Sequence, residues 1–173
     1  MANTFTLIET ISVGAGGVAN VTFNSIPQTY TDLLIKASVR TNRTTSLGIS
    51  DAIEVRFNSS TSTYNGRICF TDGSSAGSQS YTSTGGFTAS GNQASNANIF
   101  SSSDMYICNY SGSTFKQWSG EYCAENNATF GYVFMDGGLW STTTPITSIY
   151  CVSTNSVDIM QHSVISLYGI SKS

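Results

Sequence analysis

Apolar and polar side chains alternate residue by residue along much of this chain, a pattern that only an extended strand with one buried face can use. From Asp32 to Arg40, Leu33, Ile35, Ala37 and Val39 point one way, and Asp32, Lys36, Ser38 and Arg40 the other. From Ala52 to Asn58, Ile53, Val55 and Phe57 are set against Glu54, Arg56 and Asn58. From Lys116 to Glu125, Trp118, Tyr122 and Ala124 oppose Gln117, Ser119, Glu121 and Glu125. Further strands are expected over Phe5–Val13, Val18–Phe23, Tyr64–Thr71, Met105–Tyr110, Thr129–Met135, Ile146–Ser153 and Val164–Ile170. No segment of helical length carries apolar residues at i, i+3, i+4 and i+7. The expected fold is all-β, an antiparallel two-sheet sandwich, jelly-roll-like, with about eight to ten short strands.

Turn residues fall between these segments. Gly14-Ala-Gly-Gly17 reads as a hairpin connection between the first two strands, with glycines free to take φ > 0. Pro27 ends the second strand because it cannot donate to a ladder. Asp136-Gly-Gly138 and Thr144-Pro145 read as turns in the C-terminal part. The chain is expected to form one domain, 1–173, with a Gly/Ser/Asn-rich loop at about 72–98. Tyr81, Phe87, Ile99 and Phe100 interrupt that region's polar run. It is therefore expected to hold one or two weak strands, ordered against the body or a neighbouring subunit, and to be removable without loss of the sandwich.

Only 10% of the residues are charged, while Ser, Thr and Asn fill 64 of the 173 positions. A net charge of −3 with seven Lys and Arg argues against nucleic-acid binding, which requires a dense basic face. No apolar run approaches the roughly 20 residues of a membrane helix. The opening residues have neither a basic n-region nor an apolar core, so no secretory signal is expected. Synthesis in a cytosol, with no secretory signal expected, makes free thiols the expected state of Cys69, Cys108, Cys123 and Cys151, which lack zinc-ligand spacing.

A search for chemistry finds no enzyme. His162 is the only imidazole, without a nucleophile turn beside it, and reads as a surface or turn residue. Glu121 and Glu125 lie four residues apart on one strand face, roughly 13 Å along it, beyond the separation of glycosidase carboxylate pairs. Asp72-Gly-Ser-Ser is too sparse for a calcium loop. Lys36, Arg40, Arg43, Arg56 and Arg67 suggest a charged outer sheet face. Trp118 is expected in the core, and most tyrosines at sheet rims with wet hydroxyls. No cofactor and no metal are expected.

Several stretches taken together resemble small structural proteins of tailed bacteriophages, the aquatic ones especially. They are Ser25-Ile-Pro-Gln-Thr-Tyr-Thr-Asp-Leu-Leu-Ile-Lys-Ala-Ser-Val-Arg40, Val55-Arg-Phe-Asn58 followed by a tyrosine, and Glu125-Asn-Asn-Ala-Thr129. Gly138-Leu-Trp-Ser with Ile146-Thr-Ser-Ile149, and the closing Leu167-Tyr-Gly-Ile170, complete the pattern. The likeness runs from Thr6 to Ile170, and its motifs are strand and turn signatures that carry no catalytic residue. It implies a β-sandwich virion protein. The expected role is a head decoration or cement protein on the outer capsid, binding the major capsid protein as a homo-oligomer, a trimer being favoured. The alternative is a tail fibre or spike tip domain that binds host-surface glycans. Candidate partner contacts are Phe5, Tyr81, Phe87, Phe100 and Trp140.

Overall fold

Strand β9 (Lys116–Glu125) carries the alternation furthest: Lys116, Trp118, Tyr122 and Ala124 are buried, and Gln117, Ser119, Glu121, Cys123 and Glu125 are exposed. The computed structural model describes residues 4–44, 50–82, 87–91, 98–125 and 131–171, with the backbone alone for Ser50 and 87–91. Among the described residues the same rule gives β1 (Phe5–Ser12), β2 (Asn20–Phe23), β3 (Asp32–Ser38), β4 (Ser50–Phe57), β5 (Tyr64–Thr71) and β6 (Ala76–Tyr81). There follow β7 (Phe87–Gly91), β8 (Ser102–Cys108), β9, β10 (Gly131–Trp140), β11 (Ile149–Ser153) and β12 (Val164–Ile170). No helix is present among the described residues.

Eight strands form one sheet in the order β1-β12-β3-β8-β9-β10-β5-β6, and four form a second, β2-β11-β4-β7. Every pairing is antiparallel. The chain shuttles between the sheets, contributing β2, β4, β7 and β11 singly to the small one, which gives the jelly-roll-like sandwich. Between the layers Phe23, Val55, Phe57 and Ile149 of the small sheet meet Leu33, Ile107, Leu167 and Trp118 of the large one, all buried. Burying such a side chain contributes roughly 1.5–3 kcal/mol.

Three local expectations change. The turn Gly14–Gly17 closes with a Gly17 N–H to Gly14 carbonyl bond of 3.3 Å but joins no hairpin. β1 pairs with β12 and β2 with β11, because burying both apolar faces puts them in different sheets. Asp136-Gly-Gly138 is no turn but the middle of β10, in register with β9 and β5 on either side. The region from 72 to 98 contributes an edge strand to each sheet, β6 and β7, so its removal would strip both sheets. Its residues 83–86 and 92–97, like Thr129 at the expected start of the tenth strand, lie outside the described residues.

The glycines in β10 answer a packing demand. A Cβ at Gly138 would stand 2.3 Å from Trp118 Cζ2 and 2.8 Å from the Asn65 carbonyl oxygen. Gly138 faces Trp118 directly across the ladder, so the bare backbone is the seat of the indole. Gly138→Ala is therefore expected to cost about 2 kcal/mol or more. Gly14→Ala, where nothing lies within 4 Å of the added carbon, should stay within about 0.5 kcal/mol. Urea denaturation of the two variants checks this, and equal midpoints would remove the packing role assigned to Gly138.

Candidate functional site

The large sheet extends beyond the small one at its β10-β5-β6 end, and there the sandwich opens into a cleft of about 330 Å³. One wall is the rim of the small sheet, where Asp51 and Ala52 of β4 meet Thr154 and Asn155, just after β11, and Arg43. The other wall is the inner face of the overhang, with Ile68, Gln79, Tyr81, Tyr122 and Phe134.

The rim is organised by Asp51, whose side chain is wholly out of solvent. Its Oδ2 accepts the Thr41 hydroxyl and the Ser153 hydroxyl, each at 2.9 Å. Its Oδ1 accepts the Ala52 N–H at 3.0 Å and the Asn155 side-chain amide. Arg43 Nη1 lies 3.7 Å from the same oxygen. A buried carboxylate is tolerable only when so saturated. Asp51 thereby ties the chain after β3, β4 and the end of β11 into one rigid edge.

The opposite wall is aromatic. Tyr122 and Phe134 stack with centroids 5.0 Å apart at 21°, and Tyr132 follows at 5.4 Å from Phe134. Behind them Asp136, 6% exposed in mid-strand, accepts the Tyr81 hydroxyl at 2.6 Å and the Trp118 indole N–H at 3.2 Å. Burial, then the hydrogen bond to Asp136, pushes the Tyr81 phenol far up. Burial, then the nearby Asp136 charge, does the same to Tyr122, whose hydroxyl has no hydrogen-bond partner among the described residues. Burial raises Tyr64 as well.

The five candidate contact residues do not form one surface. Phe5 is 57% exposed on β1, at the opposite edge of the large sheet from Tyr81 on β6. Tyr81 is half-buried and lines the cleft. Phe100 is half-buried just before β8. Trp140 is 3% exposed in the core, stacked on Tyr64, and offers no ring face to a partner. Phe87 belongs to β7, and its side chain lies outside the described residues.

Other expectations resolve one by one. Trp118 is in the core as expected, but Tyr64, Tyr110 and Tyr122 are buried too, since a strand's inward positions must be filled by whatever falls in phase. His162 is exposed in a turn at φ 72. Glu121 and Glu125 are exposed on the outer face. The cations do not form one face: Lys36 pairs with Asp104 at 2.7 Å and Arg56 with Glu54 at 2.8 Å, while Arg43 sits at the cleft. Glu54, expected outward, is 4% exposed and pairs with Arg56. All four cysteines are thiols, Cys151 buried and Cys69 and Cys123 exposed. No group of three or more His, Cys, Asp or Glu able to hold a metal occurs among the described residues. Comparison of the chain with protein-family models, curated proteins and solved structures finds no match.

Two predictions follow from the buried groups. Asp51→Ala leaves the Thr41 and Ser153 hydroxyls and Arg43 without their shared acceptor, and should cost about 2–4 kcal/mol in chemical denaturation. A loss below about 1 kcal/mol would mean the rim does not depend on it. Alkali should also unfold the protein. Tyr64 and Tyr122 have folded pKa values raised above the unfolded value of about 10, and burial pushes the Cys151 thiol up to about 12. Their contribution is complete below the unfolded pKa and is lost as pH rises towards the folded one, at about 1.4 kcal/mol per pH unit per group. Lys116, lowered by burial, acts in the opposite sense but is one group against three. Urea midpoints are therefore expected to fall between about pH 9 and 12, with phenolate absorbance appearing together with unfolding. A flat profile across that window contradicts the burial argument.

Proposed function

We propose that this chain is a non-enzymatic structural protein of a tailed-bacteriophage virion, a head decoration protein that binds the major capsid lattice as a homotrimer. The observation that supports the reading is the set of exposed apolar side chains on the outer face and edge of the large sheet. Registers align Leu7, Tyr168, Leu34 and Tyr106 in one outward row across β1, β12, β3 and β8. Further along, Met135 and Val133 of β10 are 59% and 52% exposed, Met135 between Cys69 and Glu121 and Val133 between Thr71 and Cys123 on the neighbouring strands. These apolar groups are set among polar ones, the exposed Lys36–Asp104 pair and Glu121 lying between them, and exposed apolar side chains grouped on a sheet face suit a contact surface with a mixed lining. The edge strand β1 exposes Phe5 and Leu7, 57% and 52%, on the side of the register break that precedes Glu9, and these two apolar groups are the part of the edge open to a partner. Sparse charge suits contacts that must hold across changing salt.

Assembly through area rather than chemistry is consistent with these surfaces. A tail fibre or spike tip is the second reading, favoured by the aromatic cleft. Quantitative mass spectrometry of purified particles separates the two: a copy number comparable with the major capsid protein is expected, and a few copies per particle would move the protein to the tail. Val133→Glu with Met135→Glu should leave stability within about 0.5 kcal/mol and lower occupancy on particles roughly tenfold. Unchanged occupancy would remove the outer face from the contact. Light scattering of the purified chain tests the trimer separately.

A further inference from the structure

We propose that a groove on the outer face of the large sheet seats one arginine side chain of the major capsid protein, with Glu121 as its anion. The inference rests on the capsid reading above and deepens it by naming what the partner presents to that face.

The groove, about 310 Å³, follows from the ladder. On the outward phase of β9 and β10, Ser119 faces Gly137, and two such small residues leave a trough. Tyr106 faces Ser119 from the other side, with Leu34 beyond it. In the adjacent row Glu121 stands between Asp104 and Met135. Leu34, Tyr106 and Met135 thus give the groove apolar walls, and the two carboxylates give it a charged rim. The Tyr106 side chain is fixed, because its hydroxyl donates to Asp32 Oδ2 at 2.7 Å. A socket set in advance loses little freedom on binding.

Charge selects the occupant. Lys36 Nζ donates to both oxygens of Asp104, at 3.0 and 2.7 Å, and that pair is neutral. Glu121, exposed directly across the ladder from Asp104, makes no side-chain hydrogen bond or ion pair among the described residues. The rim therefore carries one unbalanced negative charge. Arg67 on β5 does not supply the cation: its Nη1 donates to Asn65 Oδ1 at 3.2 Å and the Gly66 carbonyl at 2.9 Å, and it does not line the groove. A partner that covers Met135 takes the adjacent Glu121 out of water with it, and a desolvated carboxylate without a counter-ion is costly. The partner must bring a cation to this point. Apolar walls favour arginine over lysine, since the guanidinium is the more weakly hydrated and its planar fork meets a carboxylate through two N–H groups.

The first test is a titration of the full ¹⁵N-labelled chain with N-acetyl-arginine amide to about 50 mM, which captures dissociation constants of about 10 mM. N-acetyl-citrulline amide, similar in shape but uncharged, is the comparison. Saturable shifts at Ser119, Gly120 and Glu121 are expected with the arginine probe and not with citrulline. No saturable shifts, or equal shifts with both, would overturn the proposal. The second test measures binding of the protein to particles that lack it. Glu121→Gln should weaken it about tenfold, the effect of leaving one charge of a covered pair alone. Gly137→Ala should weaken it by filling the trough while keeping the fold, since the added Cβ meets only the Trp118 carbonyl at 3.5 Å. Glu125→Gln, an equal loss of charge on the same strand face, should leave it unchanged. Equal effects of the two glutamate variants, or none from Glu121→Gln, count against the socket. A wild-type chain that ignores particles while the arginine probe fills the groove would keep the socket and remove the capsid reading.

Discussion

Trp118 is the joint on which this sandwich closes. Its ring meets Phe57 of the small sheet edge-on at 5.8 Å and 76°, and Tyr64 of its own sheet at 5.9 Å. Phe57 in turn touches Trp140 at 5.7 Å, and Trp140 stacks on Tyr64. Such edge-to-face contacts contribute beyond area alone, about 0.5–1.5 kcal/mol each. The indole can lie this low because Gly138 gives it bare backbone. Its N–H then finds Asp136, and Asp136 finds the Tyr81 hydroxyl on the edge strand β6. One side chain thus links the inter-sheet core to the wall of the cleft, so the packing of the centre and the shape of the opening are a single problem.

Charge is handled in the same economical way. The sequence has seven basic and ten acidic side chains, and Asp51, Glu54, Lys116 and Asp136 among them are buried. Each is surrounded by neutral donors or acceptors or a near counter-ion. Lys116, wholly out of solvent, is held by the carbonyls of Gly112, Thr114 and Thr143, one from the opposite side of the strand end. Spending charges inside leaves an exterior dominated by Ser, Thr, Asn and scattered apolar groups. Such a surface interacts through shape and desolvation, with little long-range field to steer or repel a partner.

The two-sheet architecture was legible in the sequence because a buried strand face must repeat every second residue, and Leu33–Ile35 or Ile53–Val55–Phe57 leave no other period. The site was legible only in part. Asp51 lies in phase with Ile53, Val55 and Phe57, so an acidic residue on an inward position could have been flagged as a buried hub. Tyr122 and Phe134 likewise keep the inward phase of their strands. What periodicity cannot supply is the identity of the neighbour: the pairing of β10 with β5, or the overhang of one sheet past the other, depends on contacts between residues far apart in the chain. For the same reason Asp136-Gly-Gly138 has turn composition and strand geometry. Its glycine answers to an indole on the next strand, not to a change of direction.

The outer face of the large sheet and the cleft lie on opposite sides of that sheet. Leu7, Leu34, Met135 and Val133 face outward from the sandwich, whereas Phe134, Ile68 and Tyr122 face inward towards the rim of the small sheet. Adjacent residues of β10, Val133 and Phe134, belong to one surface each, because successive side chains of a strand point to opposite faces. A molecule docked through its outer face therefore keeps the cleft mouth unobstructed. The backbone of β10 is common to both faces, and Gly138, Trp118 and Asp136 hold it in place. Because Val133 and Phe134 are adjacent on one backbone, the two faces are close enough for a change at one to couple to the other.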